Sequence, residues 1–288
     1  IPRWDGAVMS EGSLLIWGEQ GVGDQIMYAS MVPDLEKLAA HTIIACEPKL
    51  VPLFSRSFPQ RDIKSMLELK ESPGQLDGVK QQIPMGSLGQ FLRPNMGAFP
   101  NQKAFLVADQ TQVDRLRTKY KGQGDKDRLV GLSWLSNNEK TGEAQTVQLK
   151  ELAPALLGVD ATFVDLQYGD TEQDRAEAQD IGLDVLSDPD IDPLTDLDAF
   201  AAQVAAMDLV ITISNTTAHV SGALGVPCWV LLASGQGQNW YWFLDRSDSP
   251  WYPSLRLFRQ AVSGDWTGVL TEVHQALADE LLQPRNRD

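Results

Sequence analysis

Two short stretches carry residue types that could do chemistry, and each directly follows an apolar run. The first is GEQGVGD, residues 18–24, after SLLIW (13–17). Its glycines at 18, 21 and 23 have the density of a phosphate-cradling loop, but no Lys-Ser/Thr follows and the spacing is not the dinucleotide fingerprint. An aspartate, Asp24, stands where a phosphate loop would want a lysine. Two roles are open to it. It caps a helix beginning at Gln25, which Asp does well, or it points into a cleft as a general base for an alcohol. The neighbouring Glu19, Gln20, Gly21, Gly23 and Gln25 then line that cleft.

The second stretch is SNTTAH (214–219), after the apolar DLVITI. The hydroxyls and amide of Ser214, Asn215, Thr216 and Thr217, with the backbone N–H groups of the helix that follows, form an anion site suited to a ligand phosphate. The same residue types also serve as plain helix caps. His219 alone reads as a core or helix histidine sooner than as a catalyst. Lys140, in NNEK (137–140) after LVGLSW, can reach a phosphate or remain a surface lysine. The Asp-x-Asp pairs in DPDIDP (188–193) and DLD (196–198) are of the kind that holds a metal on a diphosphate, but acids beside prolines ahead of a helix serve turns and caps, so no metal site is expected. Residues 239–253, NWYWFLDRSDSPWYP, hold five Trp and Tyr, which either wedge a loop onto the core or, as at Trp240, stack on a sugar ring or base.

These residues need strands and helices to hold them. Apolar runs (SLLIW, HTIIACE, DIKSM, VKQQIPM, AFLVAD) alternate with helical spacing in DQIMYASMVPDLEKLAA and PKLVPLFSRSF up to about residue 121. The polar, glycine-bearing KGQGDKDR (121–128) reads as a linker, after which the alternation restarts with LVGLSW, LKELAPAL, ATFVDLQ, EQDRAEAQDIG, DLDAFAAQVAAMD, DLVITIS, AHVSGALG and VPCWVLLA. The expectation is an α/β chain of two Rossmann-like, doubly wound domains, residues 1–124 and 125–288, facing across a cleft at the carboxyl ends of their parallel strands.

Composition excludes several classes. With 39 acidic against 24 basic residues, a net charge of −15, no nucleic-acid or anionic-membrane partner is expected. The longest apolar run, VPCWVLLA, is far short of the roughly 20 residues a membrane span needs. Cys46 and Cys228 stand far apart in strand-like runs and read as inert core. No signal-peptide pattern opens the chain, whose start at Ile1 reads as a fragment or processed form, and a cytoplasmic location is expected. An NAD-dependent oxidoreductase is disfavoured, because no G-x-G-x-x-G with a downstream ribose-binding acid follows any strand.

Taken together, GEQGVGDQI with its helix, GLSW (131–134), DLVITISNTTAHVSGALGVPCWVLL (208–232) and W-x-x-DRSDSPWYP-x-x-RLFRQ followed by GDW resemble the glycosyltransferase-like domain found behind tetratricopeptide repeats, akin to the heptosyltransferases. The resemblance runs from Trp17 to about Leu281. It implies a GT-B type fold and a transferase, inverting and metal-independent, moving a sugar from a nucleotide-sugar donor to a glycan or protein acceptor. No cofactor beyond the donor is implied, and tetratricopeptide repeats would lie upstream. Asp24 matches the proposed catalytic base, while Ser214, Asn215, Thr216, Thr217, His219, Lys140 and Trp134 fall on the donor side. Two positions depart from the pattern. Ser214 stands where relatives carry an aspartate able to hold donor hydroxyls, and Gln145-Thr146 where they carry Arg-Ser, leaving Lys140 as the substitute cation. Those departures favour the alternative, a binding module of the same fold with weakened turnover.

Overall fold

β-branched and aliphatic runs of two to six residues, too short for stable helices and bounded by turn residues, form ten strands among the described residues. The computed structural model describes residues 1–281 apart from Ala40, Asp125 and Lys140. The first sheet holds β1 (Ser13–Trp17), β2 (Thr42–Cys46), β3 (Asp62–Ser65) and β4 (Val79–Pro84) in the order β3-β2-β1-β4. The helices before the next strand are α1 (Val22–Ala29), α2 (Val51–Ser57), α3 (Met66–Glu71), α4 (Gly89–Leu92) and α5 (Gln110–Gln123). The second sheet holds β5 (Leu129–Ser133), β6 (Thr162–Asp165), β7 (Val185–Leu186), β8 (Leu209–Ile213), β9 (Cys228–Leu232) and β10 (Leu255–Arg259) in the order β10-β9-β8-β5-β6-β7. Its helices are α6 (Gly142–Gln145), α7 (Leu149–Leu156), α8 (Glu172–Ile181), α9 (Leu197–Ala205), α10 (Thr216–Leu224) and α11 (Thr267–Leu281). Every strand pair in both sheets is parallel.

Parallel strands demand helices on both faces, and the core shows them. Leu15, Ile43, Ala45 and Leu69 fill the α3 face of the first sheet, while Val130, Leu132, Phe163, Ile211 and Trp229 face α7 and α11 across the second. The other faces of both sheets share one apolar cluster, which runs from Leu14, Ile16 and Ile44 through α1, α5, α9 and α10 to Val210 and Val230. Across this joint Arg56 grips Asp198 with two 2.6 Å bonds.

Several local expectations change. The apolar spacing after Asp24 predicts a helix to about residue 40, but α1 ends at Ala29 and a 3-10 turn, Pro33–Lys37, follows. Pro33 lacks an amide hydrogen and cannot continue the helix. The segment AFLVAD is no strand: the amides of Phe105 and Leu106 both donate to the Ala223 carbonyl, and Asp109 caps α5. The expected linker at 121–128 overlaps α5, which runs to Gln123 and packs on α9. Both cysteines are buried, and burial pushes both thiols up to about 12.

Candidate functional site

In each sheet the chain reverses its winding beside a central strand, between β1 and β4 in the first and between β5 and β8 in the second. Open α/β sheets bind ligands at such switch points, because the loops leaving the two strands diverge and leave a crevice. The turn after β1 is Gly18–Gly21 and the turn after β8 is Ser214–Asn215; both line one cavity of about 590 Å³, the first through Gln20 and Gly21.

The β1 turn is made mostly of backbone. Gly21 is the N-cap of α1, in extended conformation and without a side chain to cap with. Asp24 therefore does not precede the helix as its cap; it lies in the first turn, where its carboxylate meets the amides of Gly21 and of its own residue. Burial raises the Asp24 pKa, and those two amides oppose the rise. Tyr28, one turn on, has its phenol pushed up to about 12 by burial and by the charges of Asp24 and Glu19. Gln25 does not reach the cavity. It is buried, donating to the Gln20 carbonyl (2.8 Å) and accepting from the Glu47 amide (3.0 Å), and so ties the turn to the end of β2. Glu19 also turns away and accepts from the Gly86 amide at 3.2 Å.

The β8 turn is held by side chains. Asn215 caps α10 through the Ala218 amide, accepts from Thr212 Oγ1 (3.0 Å) and donates to Ser133 Oγ (2.8 Å). Thr217 Oγ1 meets the same serine at 3.3 Å. Ser214 Oγ accepts from Asn239 Nδ2 (2.8 Å) and Trp242 Nε1 (2.7 Å). These contacts use the side chains of Ser214 and Asn215 inside the protein. Thr216 stays partly exposed at the cavity wall, in the first turn of α10, whose leading amides have no acceptor within the helix.

The helices that follow the two turns touch. A Cβ on Gly23 would stand 2.9 Å from His219 Cδ2, so only glycine lets α1 approach α10 this closely. His219 is buried, stacked on Trp242 with ring centroids 5.4 Å apart, and its Nδ1 lies 2.9 Å from the Tyr252 hydroxyl. Burial lowers its pKa to about 3, so it is neutral at pH 7.

Trp134 is not at the cavity: it is fully buried and its Nε1 donates to Asp174 at 2.8 Å. Lys140 lies outside the described residues. Gln145 lines the cavity but donates to the Gly237 carbonyl (3.0 Å). Trp240 stands at the cavity with 65% of its surface exposed. The Asp-x-Asp acids serve as local partners: Asp188 holds Lys119 and the Tyr120 hydroxyl, Asp192 bonds Leu194 and Thr195, and Asp196 caps α9. Among the described residues no group of three or more His, Cys, Asp or Glu is arranged to hold a metal.

Sequence reasoning missed Lys49, Tyr168 and Leu194, which also line the cavity, as do Asn239 and Tyr241 of the aromatic stretch 239–253. Lys49 donates to the Leu194 carbonyl at 3.3 Å, and the Tyr168 hydroxyl accepts from the Asn137 amide at 2.6 Å. Gln167 was missed too; its Oε1 accepts from Ser133 Oγ and the amides of Trp134 and Leu135, shaping the β5 end of the crevice. A signal existed for three of them, since Lys49, Gln167 and Tyr168 each follow the carboxyl end of a strand by two or three residues.

No protein-family model matches the chain. It is 33% identical over 297 residues to Protein FlbA of Caulobacter vibrioides; the match covers 96% of this chain and 48% of that protein, so the chain spans about half of its relative's length. Among solved structures, E. coli ADP-heptose LPS heptosyltransferase II superposes with a TM-score of 0.65 at 15% identity, covering 93% of this chain and 99% of that one. A glycosyltransferase of family 9 from Veillonella parvula gives 0.61 at 14% identity, over 95% and 99%. E. coli heptosyltransferase WaaC with ADP gives 0.57 at 10% identity, over 93% and 99%. At such identities the likeness establishes the fold: the chain has the α/β architecture of parallel sheets found in heptosyltransferases and family 9 glycosyltransferases.

Proposed function

We propose that the chain is a glycosyltransferase domain that moves a sugar from a nucleotide-sugar donor to a glycan or protein acceptor. The observation that carries this reading is Asp24 and the N-terminus of α10 lining one cavity, a carboxylate beside an anion-attracting helix end. In a GT-B type arrangement, residues 1–124 serve the acceptor and 125–288 the donor. Asp24 takes the proton of an acceptor hydroxyl as its oxygen attacks the anomeric carbon from the side opposite the leaving group. The bond from that carbon to the phosphate oxygen breaks, its electron pair leaves with the nucleoside diphosphate, and configuration inverts. The amides of Thr216 and Thr217 and the ammonium of Lys49, with Lys140, stabilise the departing charge. Burial of Asp24 suits the role, because a desolvated carboxylate holds a proton more strongly. No metal or further cofactor is required, the location is cytoplasmic, and upstream tetratricopeptide repeats present the acceptor.

One observation favours a second reading, a binding module with weakened turnover. Ser214 and Gln145 both spend their polar atoms inside the protein.

The test is calorimetry of the chain against UDP-, GDP-, ADP-, CMP- and dTDP-sugars and the free nucleotides, with and without magnesium. Saturable, magnesium-independent binding of one nucleotide, weakened by Thr216→Ala, supports the transferase. Silence across the panel removes it and leaves a fold kept for protein contacts.

A further inference from the structure

Trp240 is unusual within the aromatic block. Trp242 and Trp251 are buried and Tyr241 nearly so, whereas Trp240 exposes 65% of its surface directly at the cavity. An indole left this open loses the burial that ordinarily justifies its size, so its exposure asks for an occupant. Its contacts are edge-type, with centroids 5.8 Å from Tyr241 at 77° and 6.3 Å from Trp251 at 83°, and they fix the ring without covering it.

The segment holding it is firmly built. Ser214 Oγ takes bonds from Asn239 on one side of Trp240 and from Trp242 on the other. Arg259 donates to the Trp242 carbonyl. Phe243, which ends this turn, is the one non-glycine residue with positive φ among those described, at 54°. A bulky residue in that region is strained and persists only where its surroundings over-determine it. A second apolar group, Leu194, 52% exposed, lines the same cavity and is held through its backbone by Lys49 and Asp192.

The position of Trp240 selects what rests on it. It packs on Trp251, which packs on Tyr28, and Tyr28 stands one helical turn after Asp24 on α1. The platform is therefore on the Asp24 side. The cavity around it is lined by amides and hydroxyls, among them Gln20, Asn239 and Thr216, with few charges. That mixture of a flat apolar face and neutral polar groups fits a pyranose, which has an apolar C–H face and a rim of hydroxyls.

Resting on the transferase reading above, we infer that Trp240 is the stacking platform for the acceptor's pyranose ring, held at the cavity by the Ser214 bonds so that a ring hydroxyl is presented to Asp24. Ser214 thereby positions Trp240 and takes no part in holding the donor.

The test is a nitrogen-15 NMR titration of the indole N–H signals, with Trp240 assigned by its disappearance in Trp240→Phe. The methyl glycosides of β-glucose, α-mannose and β-N-acetylglucosamine are added in turn, and ADP and UDP separately. The expected result is that at least one glycoside moves the Trp240 signal saturably, with about tenfold weaker binding in Trp240→Ala at an unchanged melting temperature. Ser214→Ala should also broaden or shift that signal in the free protein. If ADP or UDP moves the Trp240 signal and no glycoside does, the platform serves a base and the inference is overturned. If no glycoside moves it while a nucleotide shifts the Thr216 amide, the inference fails and the transferase reading stands. If nothing shifts either signal, both fail.

Discussion

The turn after β1 and the turn after β8 occupy equivalent places, each at the carboxyl end of a central strand and each opening a helix at the same cavity. They are built by opposite means. The first is capped by Gly21, which has no side chain to cap with, and its ionisable side chain, Asp24, remains partly exposed. The second consumes nearly every polar side chain it has, Ser214, Asn215 and Thr217, in bonds to β5, β8 and the aromatic segment. A turn capped by backbone leaves its carboxylate partly open to a ligand. A turn made of side chains presents only rigid amides. In the proposed reaction the first takes up the acceptor's proton and the second provides a fixed electrostatic environment.

The largest expected effect tests that division directly. Asp24→Asn should cut transfer about a hundredfold or more. Its melting temperature at neutral pH should be unchanged or slightly higher. Asp24's folded pKa is raised, so its contribution to stability is full at low pH and is lost as pH rises through that value. Full turnover in the variant would leave Asp24 a structural acid. The acid limb of the wild-type rate profile should correspondingly lie above the ordinary carboxylate range, since the base must be ionised to act.

His219 should show the opposite linkage. Its pKa is depressed to about 3 in the folded state against an unfolded value near about 6.5, so the unfolded chain binds the extra proton between those values. Stability should fall as pH drops through that window, by up to about 1.4 kcal/mol per unit from this group. Urea titrations of wild type and His219→Gln at pH 7 and pH 5 measure it, and an equal pH slope in both proteins would show the histidine to be protonated when folded.

Next in size is the contact between α1 and α10. Gly23→Ala drives a methyl group into a histidine that is stacked and hydrogen-bonded, and should cost about 1–3 kcal/mol in denaturant unfolding. A neutral result would mean that α1 shifts freely on α10. The smallest effects separate the two caps. Asn215→Ala removes a cap and its bonds to Thr212 and Ser133, and should cost about 1–2 kcal/mol. Gly21→Ser meets only Asp24 Oδ2 at 3.4 Å in an ordinary extended conformation and should change stability by no more than about 0.5 kcal/mol. Equal costs at the two positions would erase the distinction between a backbone turn and a side-chain turn.

Much of this was open to a reading of the chain alone. Runs such as TIIAC, LVITI and CWVLL cannot be exposed on either side, so buried parallel strands and their covering helices follow from composition and spacing. Glycine and hydroxyl clusters directly after such strands mark the crevice, because ligand loops leave the carboxyl ends of parallel strands. Periodicity gave no warning of the early end of α1 or the loss of the AFLVAD strand, since Pro33 acts through one missing amide hydrogen and the Ala223 carbonyl through two recruited amides.

Direction and partnership were decided by the tertiary structure. Gln25, Glu19 and Trp134 have side chains able to meet a ligand, yet the first is pinned to β2, the second turns to Gly86 and the third fills the core. Lys49 and Leu194 lie 145 positions apart and meet only because α2 and its preceding turn dock on α9. Local spacing sets which face of an element is apolar. Which polar atoms remain free for a ligand depends on who has already bonded them, and that is a property of long-range packing.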